Sequence, residues 1–228
     1  MIPTIIFFLL RRYKRQNPAK AERIELFVAK ATKSILLIVL CNAIAGFALS
    51  QEKNLNYDIK RNGNSVGNIR FSQNSSGNRT ILKMETEVKT RFIFTFIAKS
   101  REETIYENGI MTWSSFYRKM NGNVKADKKT KASGSGYTIF NGAKTEILSN
   151  YPIRYNMLSI YTVEPVNIGK VYSDNFQQFL DIQKLALHHY KIKFPDDNYC
   201  EYFYNNGICS KVQIHHSLYS ATIELKSN

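Results

Sequence analysis

No stretch of this sequence offers the ~20 consecutive apolar residues of a membrane-spanning helix. Its main apolar run, Ile35–Leu49, is fifteen positions long and is broken by Asn42. A Gly-x-Ser-x-Gly nucleophile motif is absent, and so is a glycine-rich phosphate loop; Ser133-Gly134-Ser135-Gly136 reads as a flexible turn. Histidine is scarce, and its four copies form two adjacent pairs, His188-His189 and His215-His216. Neighbours on a strand point to opposite faces, so each pair offers one ligand to a given site. Carboxylates stand at no metal-ligand spacing from them, so neither a metal nor another cofactor is expected. The adjacent carboxylates Glu102-Glu103 and Asp196-Asp197 fall near predicted turns and read as solvent-facing charge. These absences leave no catalytic constellation, and the chain reads as non-enzymatic.

Dense charge of one sign is also missing. The chain has 32 Lys+Arg against 18 Asp+Glu, but the excess is scattered. Nucleic-acid binders concentrate it on one face or helix, so no nucleic-acid partner is expected. After residue 50 the one dense cluster, Lys125, Lys128, Lys129 and Lys131, reads as a solvated hairpin; a second basic patch, Arg11, Arg12, Lys14 and Arg15, lies in the N-terminal extension.

What is present begins with a leader pattern. Lys30 and Lys33 precede the apolar run, and Ala48 and Ser50 stand where a signal peptidase requires small residues, making Gln51 the first mature residue. Leu40 precedes Cys41, where a lipoprotein signal would need a small residue, so lipidation is not expected. The expected organisation is an N-terminal extension plus secretory signal over residues 1–50 and a single β domain over 51–228. The expected location is the periplasm or cell envelope, with membrane contact only through the signal segment. An uncleaved anchor is the rival reading. Residues 1–29 read either as an extension from a misassigned start or as part of a long signal.

The first fifty residues hold 8 of the basic and 2 of the acidic side chains, so the remaining 178 carry a net charge of +8. That length suits one domain with a sizeable core. Cys200 and Cys209 remain after the leader, an even pair that permits a disulfide in an exported chain. A two-residue turn at Asn206-Gly207 would hold them about four residues apart along the ladder, beyond the ~7 Å Cα limit; a longer loop would bring them together.

Asn-Gly occurs at 62–63, 108–109, 121–122, 141–142 and 206–207, between alternating segments. Both residues tolerate the positive φ of a type I′ turn, so each pair marks a hairpin. In the first hairpin, Tyr57 opposes Ile69 and Leu55 opposes Phe71 only if a β-bulge is placed at Gly67-Asn68. Further strands are predicted at about 82–88, 92–98, 110–119, 123–131, 136–141, 143–149, 187–194, 199–204, 208–215 and 218–225, with Trp113 opposite Thr104. Two short helices are predicted. One follows Pro152, with Ile153, Met157, Ile160 and Tyr161 at helical spacing; the other is capped by Ser173, with Phe176, Phe179 and Leu180 on its stripe. The fold class is therefore mainly β: an antiparallel barrel or strongly curved half-barrel sheet with two short helices.

Tyr155 to Tyr161, Glu164-Pro165, Val171-Tyr172-Ser173, Phe176, Phe179, Tyr190, Phe194-Pro195 and Tyr202-Phe203-Tyr204-Asn205-Asn206-Gly207 together resemble a family of uncharacterised exported bacterial β-proteins, known as a domain of unknown function. The resemblance covers residues 55–226 and implies export and a β-barrel-like fold, with no established activity. In shape the architecture is similar to half-barrel lipoprotein carriers.

Aromatics supply the remaining lead, with fourteen Phe and fourteen Tyr. They read either as a filled core or as an apolar ligand cavity. The candidate lining is Phe92, Phe94, Phe96, Trp113, Tyr137 and Ile139, with Met157 and Tyr161 as a lid. The functional expectation is a non-enzymatic binder of an apolar or lipid-like ligand; the alternative is an envelope interaction module with no ligand. The oligomeric state is not legible.

Overall fold

Asn-Gly punctuation does shape the chain. The computed structural model describes residues 51–91, 95–148 and 152–226. In it Asn62-Gly63, Asn108-Gly109, Asn121-Gly122 and Asn206-Gly207 all have φ between 47° and 83° at both positions, as a type I′ turn requires. At 141–142 the turn moves on by one residue: Asn141 ends a strand, and Gly142, at φ 60°, opens the loop. The expected signal segment lies outside the described residues, as do Phe92 and Phe94. The described residues all fall in one compact unit, Ser50–Asn228.

Fourteen strands form among the described residues. The first eight are β1 (Gln51–Arg61), β2 (Asn64–Ser76), β3 (Arg79–Arg91), β4 (Thr95–Glu107), β5 (Ile110–Met120), β6 (Asn123–Ser133), β7 (Gly136–Asn141) and β8 (Lys144–Leu148). After a long connection come β9 (Lys170–Ser173), β10 (Gln178–Ala186), β11 (His189–Lys193), β12 (Tyr199–Asn205), β13 (Ile208–His216) and β14 (Tyr219–Leu225). They make one antiparallel sheet in the order β8-β7-β6-β5-β4-β3-β2-β1-β14-β13-β12-β11-β10-β9. It is not closed into a barrel: β8 and β9 are its two edges.

The sheet nevertheless rolls up. Thr130 on β6 and Tyr172 on β9 have their hydroxyls 3.0 Å apart, although ten strands lie between β6 and β9. A flat sheet would hold those strands roughly 50 Å apart. The turn after β9 also reaches the far wall: Gln177 Nε2 donates to the carbonyls of Lys129 and Phe140. The rolled interior buries Tyr57, Phe71, Met111, Tyr190, Ile192 and Val212, among others. The outer face is charged, with pairs such as Arg70–Glu85 at 2.8 Å and Lys99–Glu87 at 2.9 Å; such exposed pairs contribute little.

Neither expected helix forms. The segment after Pro152 runs through the interior and makes one 3₁₀ turn, Ser159–Tyr161. Its backbone groups bond the sheet: Met111 N donates to Ile153 O, Tyr172 N to Tyr155 O, and Met157 N to Tyr172 O. Groups paired in that way cannot also close helical turns, and they cover the edge of β9. Ser173 does cap, since Phe176 N donates to its Oγ at 3.3 Å. It caps a turn rather than a helix, because Gln177 enters the left-handed region at φ 56°. Phe179 and Leu180 then pair with Tyr172 and Val171 as strand residues.

Two register details differ from expectation. The first hairpin has its bulge, with Tyr57 opposite Ile69 and Leu55 opposite Phe71, but the extra residue is Val66. A bulge before Trp113 sets it opposite Ile105, and Ser114 opposite Thr104. Cys200 faces Ile214 and Cys209 faces Tyr204. Those partners put the two cysteines four residues apart on the ladder, about 13 Å, and both thiols are free. The disulfide that the even pair permitted is absent for that reason.

Candidate functional site

Along β3, β4 and β5 every second side chain points into the roll, and the register sorts them by depth. Val88, Ala98 and Met120 form an apolar row near the hairpin ends. Next come Thr86, Ser100 and Arg118, then Met84, Glu102 and Phe116, and then Leu82, Thr104 and Ser114. The first three of these rows open onto a cavity of about 790 Å³. Its opposite wall includes Ile214, Ala221, Ile223 and the stacked rings of Phe176 and Phe194, 5.5 Å apart. On this wall an apolar row near the hairpin ends gives way to rows that carry Arg118 and Glu102, and Arg61, Thr90 and His216 also line the cavity.

At its inner end lies a buried polar knot, whose Asp174 is among the lining residues. Asn156 is fully buried. Its Oδ1 accepts from Tyr106 Oη at 2.9 Å and Ser159 N at 3.1 Å. Its Nδ2 donates to Thr104 Oγ1 at 2.6 Å and Asp174 Oδ2 at 2.8 Å. Ser114 Oγ donates to the other Asp174 oxygen. Burial raises the Asp174 pKa to about 6, against the downward pull of those hydrogen bonds.

Glu102 reaches the cavity from above this knot. Protein surrounds it, although its carboxyl opens onto the cavity space. Burial raises its pKa to about 7; the Asp174 charge adds to the rise, and Arg118 opposes it. Burial and the Arg118 charge lower the pKa of Lys128, whose Nζ donates to Asn175 O.

The expected lining residues separate into several groups. Phe96, Met157 and Tyr161 line the cavity. Tyr161 is packed edge-on to Tyr57 and stacked on Phe71. Tyr137 and Ile139 are buried away from it, and Tyr137 Oη accepts from Ile153 N. Trp113 is turned to the other face, because a one-residue slip exchanges the faces of a strand. Phe92 and Phe94 lie outside the described residues.

The histidines do have carboxylate partners: His188 meets Glu164 at 3.0 Å and His189 meets Glu201 at 2.9 Å. Burial disfavours the Glu164 charge, but hydrogen bonds from Tyr190 and His188 outweigh it and lower its pKa. No group of three metal-ligating side chains occurs among the described residues.

Sequence reasoning missed Glu102, Arg118, Asn156 and Asp174, and placed Glu102 in solvent. A usable signal existed for Glu102. It shares parity with Phe96, Ala98 and Tyr106 along one unbroken strand, which puts it on the inner face. Asp174 had no such signal, since its burial comes from strands ten places away in the sheet.

A family model described as "Domain of unknown function (DUF6134)" matches residues 57–226. No curated protein matches the chain. Among solved structures, the chain is similar to the "Beta-barrel-like Protein of Domain of Unknown Function DUF1849 from Brucella abortus". That likeness has a TM-score of 0.51 at 11% identity, over 78% of this chain and 97% of the other. At that identity it speaks for the fold alone.

Proposed function

The match over residues 57–226 makes this chain a member of the DUF6134 family, and from its interior we propose that it is a non-enzymatic binding protein for an apolar or lipid-like ligand. The single observation behind this reading is the cavity of about 790 Å³ between Phe96, Met120 and Met157 on one side and Ile214 and Ile223 on the other. Sites for small molecules run to ~300–1,000 Å³ and are mostly apolar. Burying a hydrocarbon there contributes about 25 cal/mol per Å² before ordering costs. A filled core, the alternative, would leave no such space.

Export to the cell envelope belongs to the same proposal. Its support is the basic, apolar and small-residue order of Lys30 to Ser50.

Native mass spectrometry of the chain purified from its own cell envelope tests both parts. The expected result is a mature N-terminus at Gln51 and an added mass that organic extraction removes. Displacement of a fluorescent fatty-acid probe gives the second readout. A ligand-free mass together with no probe binding after delipidation overturns the binding reading.

A further inference from the structure

Arg118, Glu102 and Tyr161 all line the cavity, and none has a hydrogen-bond or ion-pair partner among the described residues. The Arg118 guanidinium lies over the Phe116 ring at 4.8 Å, a contact that uses none of its N–H groups in hydrogen bonds. Among the described residues, His215 Nε2 is the one buried side-chain nitrogen or oxygen without a partner. The free groups of Arg118, Glu102 and Tyr161 therefore open onto the cavity space rather than being sealed in protein. Asp174 differs, because Ser114 and Asn156 occupy both of its oxygens.

We infer that the inner end of the cavity binds the carboxylate of a fatty acid, with Arg118 as its charge partner and Glu102 and Tyr161 as further hydrogen-bond donors. The acyl chain lies outward along the apolar row of Val88, Ala98 and Met120. This rests on the reading of the cavity as an apolar-ligand site. A guanidinium stays charged and offers five donors, and a tyrosine hydroxyl donates one. A carboxyl donates only when protonated. The groups facing Glu102 are Asp174, Arg118 and the Tyr161 hydroxyl, and with its pKa near 7 it keeps a proton for part of the time at neutral pH. Three donors grouped in a mostly apolar space call for a ligand that ends in acceptors. An anion there also compensates the Arg118 guanidinium, which has no ion-pair partner among the described residues.

The test uses the delipidated chain purified from its own cell envelope and four chain-matched ligands: palmitic acid, cetyl alcohol, cetylamine and cetyl phosphate. Affinities come from displacement of a fluorescent fatty probe at neutral pH. Palmitic acid is expected to bind about 10- to 100-fold tighter than the alcohol or the amine, the worth of a charge-assisted pair. Arg118→Gln should remove that difference and leave the alcohol unchanged, while Arg118→Lys keeps part of it. Equal affinity for acid and alcohol overturns the head-group assignment, even if Arg118→Gln fails to fold. Tightest binding of the amine, erased by Glu102→Gln, overturns it in favour of a cation. Tightest binding of the phosphate overturns the carboxylate. Failure of all four ligands to bind sinks the cavity reading itself.

Discussion

Asn156 Nδ2 donates to Asp174 Oδ2 at 2.8 Å, and this bond ties the interior segment to the turn that follows β9. Both residues are at most 4% exposed. Asn156→Ala removes one of the two partners of Asp174 and strands Tyr106 Oη and Thr104 Oγ1 as well. An unsatisfied buried polar group costs about 1–3 kcal/mol. The expected loss is roughly 3 kcal/mol or more in urea unfolding, with a normal m-value. A loss under about 1 kcal/mol would show that water replaces the amide.

Glu102, raised to about 7, and Asp174, raised to about 6, set a pH dependence. Between about pH 4 and pH 7 the folded chain holds protons that the unfolded chain has released. The stability linked to them is full below about pH 4 and is lost as pH rises through 6 and 7. Glu85, held low by its hydrogen bond from Arg70, works in the opposite direction and matters only at more acid pH. The melting temperature should therefore fall from about pH 5 to pH 8, and Glu102→Gln should flatten the fall. A wild-type melting curve that is constant over that range contradicts the raised values.

Gly67 pairs with Val88, and a Cβ placed on it would stand 2.2 Å from Glu87 O and 2.9 Å from Val88 Cα. Backbone cannot give way cheaply, so Gly67→Ala should cost about 3 kcal/mol or more. Gly63→Ala meets open space but keeps a φ of +79°, which costs about 1 kcal/mol. Denaturation of the two variants side by side checks the order, and a Gly63 variant less stable than the Gly67 variant would reverse it.

Burial pushes the Cys200 and Cys209 thiols up to about 12. A thiolate is the reactive form. Peptides containing these two residues should resist alkylation in the native state and be labelled fully in denaturant. Recovery of a peptide linking Cys200 to Cys209 under non-reducing digestion would contradict the observed register.

Ala98 sits in the apolar row at the cavity mouth. Ala98→Trp should occupy part of the space and weaken fatty-probe binding at least about tenfold, the worth of ~1.4 kcal/mol, with the circular dichroism of the sheet unchanged. Undiminished binding would move the ligand away from this face.

Strands whose evidence is local were legible. Four Asn-Gly turns fall where type I′ chemistry puts them, and alternation along Leu82, Met84, Thr86 and Val88 marks β3. The family resemblance was legible too, in the carboxy-terminal aromatic and Glu-Pro segments. Faces were less secure than strands. One extra residue before Trp113 exchanged inside for outside, and nothing in a two-residue turn announces a bulge three positions later. Helical spacing after Pro152 misled because four apolar residues recur at that period, while their backbone partners sit on β5 and β9.

Sequence alone therefore determined a mainly β chain of hairpins, since turn geometry and period-two alternation are settled within a few residues. The tertiary structure decided that the sheet rolls without closing, that Asn156 and Asp174 are buried at the inner end of a cavity, and that Glu102 and Arg118 look into it. Those outcomes depend on contacts such as Thr130 with Tyr172, which join strands eleven places apart in the sheet. Burial, and the pKa shifts it causes, comes from such distant neighbours, and no local pattern encodes which wall a side chain will meet.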